Sequence, residues 1–105
     1  MYLGVQDVKT GVSAAGTTQT DAQLLVNGIS YVETVAAGAG VRLNVAQPGV
    51  SQMVYNAGAN PLLVYPPDGC NINQLSADAA MTLATNTNCA FVTLDSTQII
   101  AMLSA

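Results

Sequence analysis

From Leu24 onward the chain consists of short runs rich in Val, Ile, Leu, Thr and Tyr, separated by turn residues. The turn residues recur about every ten positions, a spacing typical of an all-β sandwich or barrel. The clearest run is 40–45, where Val41, Leu43 and Val45 alternate with Arg42 and Asn44. The pattern predicts a small antiparallel β-sandwich or barrel-like domain, of jelly-roll or β-tulip type, over residues 21–105.

Turn chemistry predicts three hairpins. Asn27-Gly28 tolerates the positive φ angles of a tight hairpin turn between two apolar runs. A second hairpin is predicted to pair Val50–Tyr55 with Leu62–Tyr65, and a third to pair Cys89–Leu94 with Gln98–Leu103.

Residues 76–84 allow two interpretations. Asp78-Ala79-Ala80-Met81 has helical propensity, and Ser76 is a suitable helix cap. We favour a short turn that leads into a strand at Met81–Leu83.

The last predicted strand is apolar on both faces, since Ile99, Ala101 and Leu103 alternate with Ile100 and Met102. Such a strand is either sandwiched inside the subunit or covered by a neighbouring chain. Tyrosines in strands favour core or interface packing over a sugar-binding surface. We therefore predict Tyr55, Tyr65, Ile100 and Met102 as subunit-interface residues.

Residues 1–20 have scattered apolar positions without a sustained period, and Gly11 and Gly16 interrupt them. They are predicted to form an extended N-terminal arm, which at roughly 3.3 Å per residue reaches about 65 Å and could tether a neighbouring subunit. The alternative is an edge strand of the same domain. Because the N-terminus lacks the basic and apolar stretches of a secretory signal, we expect folding in a cytoplasm.

The composition of the chain argues against nucleic-acid binding and membrane insertion and favours assembly with other protein. With 105 residues, the chain fits one domain, and only 8% of its residues are charged, against about 25% in typical domains. Two basic residues against six acidic ones give a net charge of −4, which excludes a phosphate-binding surface for nucleic acid. No apolar run approaches the roughly 20 residues of a membrane span. A weakly charged surface of this kind favours permanent assembly with other protein.

The residues that carry chemistry offer no enzyme site. Histidine is absent, which removes the commonest proton-transfer group and nitrogen ligand. Cys70 and Cys89 match no redox or zinc spacing, so small buried thiols are favoured over a disulfide. Asp68, Asp78 and Asp95 lie in turn contexts, where bonding to their own backbone explains them better than glycoside cleavage. We predict a protein that is not an enzyme and has no cofactor or metal.

Residues 35–103 also carry a series of turn and core motifs. They are Gly40-Val41-Arg42-Leu43, Asn56-Ala57-Gly58-Ala59-Asn60, Leu63-Val64-Tyr65-Pro66 with Gly69 and Ile72-Asn73, Phe91-Val92 and Thr97-Gln98. In this pattern the sequence resembles a family of small structural proteins of tailed bacteriophages and prophages, and the preceding Ala15–Gln19 also fits.

The resemblance implies a capsid decoration or cement protein, a homotrimer seated on the outer capsid surface near threefold sites and bound to the major capsid protein. The arm would then supply the capsid contacts, with Val5, Val8 and Val12 as candidates. The alternative is a tail or fibre module, in which loop residues 56–60 or 86–88 contact a host receptor or glycan.

Overall fold

The computed structural model describes residues 8–44 and 48–103, and this part of the chain folds as ten β-strands without a helix. The predicted all-β class is therefore confirmed, but the predicted antiparallel pairing is wrong for most strand pairs, and the sandwich or barrel type is not confirmed. The strands are β1 (Val8–Ser13), β2 (Gln23–Leu24), β3 (Ile29–Thr34), β4 (Gly40–Arg42), β5 (Ser51–Asn56), β6 (Leu62–Tyr65), β7 (Asn71–Ile72), β8 (Met81–Leu83), β9 (Thr87–Thr93) and β10 (Gln98–Leu103).

The strands form a six-stranded sheet in the order β1-β3-β5-β9-β10-β7 and a four-stranded sheet in the order β2-β4-β6-β8. From β1 to β9 the chain passes from one sheet to the other at every connection. Strands of successive coils pair in parallel: β1 with β3 and β3 with β5 in one sheet, and β2 with β4 and β4 with β6 in the other. This solenoid-like coil is closed by β8 and β9, which pair antiparallel to β6 and β5.

Two of the three predicted hairpins are wrong. The turn at Asn27-Gly28 and the loop 57–61 each carry the chain from one sheet to the other, so their flanking strands do not pair. Glycine and asparagine supply the backbone freedom for a change of direction, and they do not determine which strand lies alongside. The third hairpin is confirmed, with Ile99 of β10 opposite Thr93 of β9.

The core lies between the inner faces of the two sheets. Val32, Val54 and Cys89 fill it from the six-stranded sheet, while Val41 and Leu83 fill it from the four-stranded sheet, all of them 0% exposed. The alternation predicted at 40–45 is confirmed as far as the structure describes it, because Leu43 is also buried. Val45 lies outside the described residues. The strand predicted at 81–83 is β8.

The described part of the predicted arm, residues 8–20, belongs to the domain itself. β1 is the edge strand beside β3, and Val12 at 8% exposure is part of the core. The turn that follows, 16–21, is held by the Tyr65 hydroxyl, which donates to the Thr17 carbonyl at 3.2 Å, and by Gln19 Nε2, which donates to the Pro66 carbonyl at 2.8 Å. These residues therefore occupy the position that the edge-strand alternative gives them.

A buried side-chain amide stabilises the third coil of the chain, which consists of β5, β6 and the loop between them. Asn56, at the end of β5, is 0% exposed. Its Nδ2 donates to the carbonyl oxygens of Asn60 at 3.0 Å and Leu83 at 2.9 Å, and its Oδ1 accepts from the Gly58 N–H at 2.9 Å. One side chain therefore connects β5, the loop that follows it and the end of β8.

Candidate interaction face

The outer side of the six-stranded sheet carries an almost continuous apolar surface, which we call the outer apolar face. Strand register places its residues side by side. One row crosses five strands: Val8, Ile29, Met53, Ala90 and Met102. Two shorter rows flank it, Tyr31, Tyr55 and Asn88 on one side and Ser51, Val92 and Ile100 on the other.

The side chains in these rows are accessible because period-two alternation turns them away from the core. Val8 is 58% exposed, Met102 55%, Ile100 40% and Met53 39%. Their neighbours one residue along, such as Val54 and Ile99, are buried. The fold therefore leaves apolar side chains on both faces of this sheet and covers only one of them.

Two aromatic rings stand at one margin of the face. Tyr31 and Tyr55 are register partners, and their rings stack with centroids 5.0 Å apart and an interplanar angle of 14°. Stacking holds each ring upright on the sheet, so that the pair has little rotamer freedom left to lose on binding. This margin is a rigid amphipathic ridge.

Charge is nearly absent from the outer apolar face. The rows themselves contain no ionised side chain: Lys9 follows Val8 on β1 in register with the buried Ser30, and the nearest acid on β3 is Glu33, two residues beyond Tyr31. Its Oε2 accepts from the Gly11 N–H on β1 at 3.0 Å, at the sheet edge. Burial of the face by another protein therefore does not require burial of an unpaired charge, which would oppose association strongly.

The outer side of the four-stranded sheet differs. Arg42 projects from it on β4, half-buried, and the turn 16–21 covers part of it through its hydrogen bond with Tyr65. The Tyr65 ring also lies over Gly40, since a Cβ on that glycine would approach a ring carbon to 2.8 Å. The turn 16–21 thus covers part of this sheet, whereas no segment within residues 8–44 and 48–103 covers the outer apolar face.

The sheet edges are poor templates for strand addition. β1 has a register irregularity between Lys9 and Val12, with Gly11 at φ 67°, and a bulge of this kind twists an edge away from regular pairing. The other edge strands, β2, β7 and β8, have two, two and three residues. Contact with other protein is consequently directed to a face of the sheet rather than to its edges.

The structure separates the residues that the sequence predicted for interfaces. Tyr55, Ile100 and Met102 share the outer apolar face with Val8, which was predicted as a capsid contact. Tyr65 and Val12 are buried at 9% and 8% exposure by the domain's own chain and are not available to a partner. Val5 lies outside the described residues.

Sequence reasoning missed Ile29, Tyr31, Met53, Ala90 and Val92 as members of this face. Tyr31 and Met53 alternate with buried residues in their strands, which was a usable signal. Their approach to β9 and β10 depends on pairing that the sequence does not display.

Both cysteines are free and buried, as predicted. Burial raises the pKa of the Cys70 thiol, with Asp78, Asp68 and Asp95 adding to the effect in that order. Burial raises the pKa of Cys89 to about 11. At neutral pH both side chains are protonated thiols, and a protonated thiol is a poor nucleophile and metal ligand.

The carboxylates in turns bond to backbone or to neighbouring side chains. Asp95 Oδ1 accepts from the N–H groups of Thr97 and Gln98, both at 2.9 Å, and the Thr97 N–H is the main cause of its lowered pKa. Asp78, at φ 67°, accepts from Gly69 N–H at 2.6 Å and from Gln19 Nε2 at 3.0 Å. Asp95 therefore bonds within its own turn, as predicted, whereas Asp78 connects its turn to the segments at Gly69 and Gln19.

The clefts of the domain are shallow and lined by few ionisable groups. The cleft between β1 and β2, about 360 Å³, is lined by polar and apolar residues with Lys9 as its one charged side chain. In the described ranges, no group of three or more His, Cys, Asp or Glu residues is arranged to hold a metal ion. The same ranges contain no helix that is long and apolar enough to span a membrane.

The outer apolar face is thus the feature of the described structure that is best suited to contact another molecule. No protein-family model matches this chain, and comparisons with curated proteins and with solved structures return no match either.

Proposed function

We propose that this protein is a non-enzymatic structural component that decorates and cements the outer surface of a bacteriophage capsid. Its partners in this proposal are the major capsid protein and further copies of itself, with three copies at a threefold site as the resemblance implies. Its location is the exterior of the virion.

The observation that carries the proposal is the outer apolar face. Large contiguous apolar patches are rare on monomeric soluble proteins and mark sites of interaction. Here the patch lies on a rigid sheet and contains no ionised group, whereas the clefts and turns offer no convergent set of reactive side chains. Stabilisation of a shell requires apolar area that is buried between proteins and does not require catalysis, and the outer apolar face supplies such area.

The receptor-binding alternative has less support. Asn56, which begins one of its two loops, is buried and forms hydrogen bonds within the domain. Asn60 donates from its Nδ2 to the Val35 carbonyl at 2.9 Å. Residues 86–88 remain for this role, and Asn86 among them is exposed.

The test is binding to empty capsids. Shells prepared without this protein should bind it saturably and then disrupt at a higher temperature than undecorated shells. A shell whose disruption temperature does not change, together with saturable binding of the protein to host cells, would replace the proposal with the receptor-binding alternative.

A further inference from the structure

We infer that the outer apolar face is a self-association surface, covered in solution by the same face of a second copy of this chain. The inference rests on the proposed structural function, and it adds the identity of the occupant of the face. It follows from the size, the composition and the geometry of the face.

The size is sufficient. Five strands at about 4.8 Å spacing, each about six residues long at about 3.3 Å per residue, give a sheet surface of about 24 by 20 Å, on the order of 500 Å², which comprises the outer apolar face and the positions at its margin. Two such faces in contact would cover on the order of 1,000 Å², which reaches the lower range of specific protein interfaces.

The composition of the face is that of a contact between like chains. Interfaces between proteins that also exist separately are about as polar as ordinary surface, whereas homo-oligomer interfaces are more apolar and depleted of charge. The central row, from Val8 through Met53 to Met102, has no polar side chain in five strands. A face that recognised an unlike partner through charge would need ionised groups, and these rows contain none.

Charge distribution also permits two copies to meet. The chain carries a net charge of −4, so that copies repel one another at long range. Of the described acids, Asp21, Asp68, Asp78 and Asp95 lie in turns, whereas Glu33 lies on β3 beyond Tyr31, where its carboxylate accepts from the Gly11 N–H at the sheet edge. Face-to-face contact therefore brings together the neutral parts of two acidic molecules.

The geometry is that of two stacked sheets. Sheets pack face to face about 10 Å apart when side chains from both faces interdigitate. Large side chains beside small ones, such as Met53 beside Ala90, give the face the projections and recesses that interdigitation requires. Pairing around a twofold axis buries this face against the same face of the second copy.

The experiment measures the mass of the purified full chain by sedimentation velocity over a range of micromolar concentrations. The expected result is a species of two chains that dissociates on dilution. Met53→Asp places a carboxylate at the centre of the face and should weaken association by about a hundredfold or more. Leu75→Asp is the matched control, because Leu75 is 42% exposed and lies in the loop between β7 and β8. That control should leave association unchanged.

Circular dichroism establishes that each variant is folded, and Ile100→Asp gives a second measurement on the same face if Met53→Asp does not fold. A wild-type chain that stays monomeric at high concentration would overturn the inference. So would a folded variant of the face that associates as tightly as the control.

The two proposals fail separately. A protein that self-associates through this face but does not bind capsids would refute the proposed function and retain the inference. A protein that binds capsids but stays monomeric in solution would retain the proposed function and refute the inference.

Discussion

Substitution of Asn56 by aspartate tests the buried amide that closes the third coil. Aspartate has nearly the same shape and keeps an oxygen that can accept from the Gly58 N–H. It lacks the Nδ2 group that donates to the carbonyl oxygens of Asn60 and Leu83. The change therefore removes two hydrogen bonds and adds a charge while leaving the packing volume the same.

The expected cost at neutral pH is at least about 3 kcal/mol. A buried carbonyl that loses its donor costs about 1 to 3 kcal/mol, and because the Asn60 carbonyl is only partly buried, the two together cost less than about 6 kcal/mol. The new carboxylate faces those carbonyl oxygens in a site that is 0% exposed, which adds to the penalty. A loss of 3 kcal/mol is a large share of the roughly 5 to 15 kcal/mol that holds a domain folded. It corresponds to a fall in Tm of about 12 to 24 °C.

The assay is urea denaturation followed by circular dichroism at pH 7 and at pH 4. Burial without a donor raises the pKa of the introduced carboxyl group above its unfolded value. The acid form is then retained in the folded state, and it can donate one hydrogen bond to one of the two carbonyls. The deficit relative to wild type should accordingly be smaller at pH 4 and should grow as the pH rises through the folded-state pKa.

Asn86→Asp is the matched control, since Asn86 is exposed in a turn at φ 63°, a conformation that aspartate also tolerates. It should change the free energy of unfolding by less than about 0.5 kcal/mol. If Asn56→Asp unfolds at the same urea concentration as this control at pH 7, the amide does not hold the coil closed.

Three further changes probe the turns and the core. Gly16→Ala should lower the free energy of unfolding by at least about 1 kcal/mol more than Gly38→Ala does. Both glycines have positive φ, but a Cβ at Gly16 overlaps Asp21 whereas a Cβ at Gly38 meets open space. Coincident urea midpoints for the two variants would contradict this. Stability should fall as pH rises from 9.0 towards about 11, because burial raises the pKa of Cys89 across this interval and the unfolded chain releases its proton first. Cys89→Ala should flatten that decline, and an unchanged slope would refute the assignment. Tyr65→Phe should cost about 1 kcal/mol and speed hydrogen exchange in the turn 16–21, since it removes the hydroxyl bond to that turn; unchanged exchange would show that the bond does not hold it.

The sequence by itself determined the local features of this protein. Alternation and turn residues depend only on neighbouring positions: alternation correctly predicted the burial of Val41 and Leu43, and strand runs with their turns correctly predicted the all-β class, β8 and the last hairpin. The prediction that the chain has no phosphate-binding surface rested on its net charge of −4, and the absence of histidine is a fact of composition.

Which strands lie side by side was decided by tertiary structure. The turn at Asn27-Gly28 permits reversal into the same sheet or passage to the other sheet, and the burial of whole coils selects the second. The register irregularity at Gly11 is equally decisive, because it places Val8 on the outer apolar face and Val12 in the core, although four residues of a regular strand would return to the same face. Tyr55 and Tyr65 both occur in strand-like runs of the sequence. In the folded chain the turn 16–21 covers Tyr65, whereas Tyr55 lies on the outer apolar face. Pairing between distant strands depends on contacts that no local pattern encodes, and for that reason the outer apolar face became visible only in the folded chain.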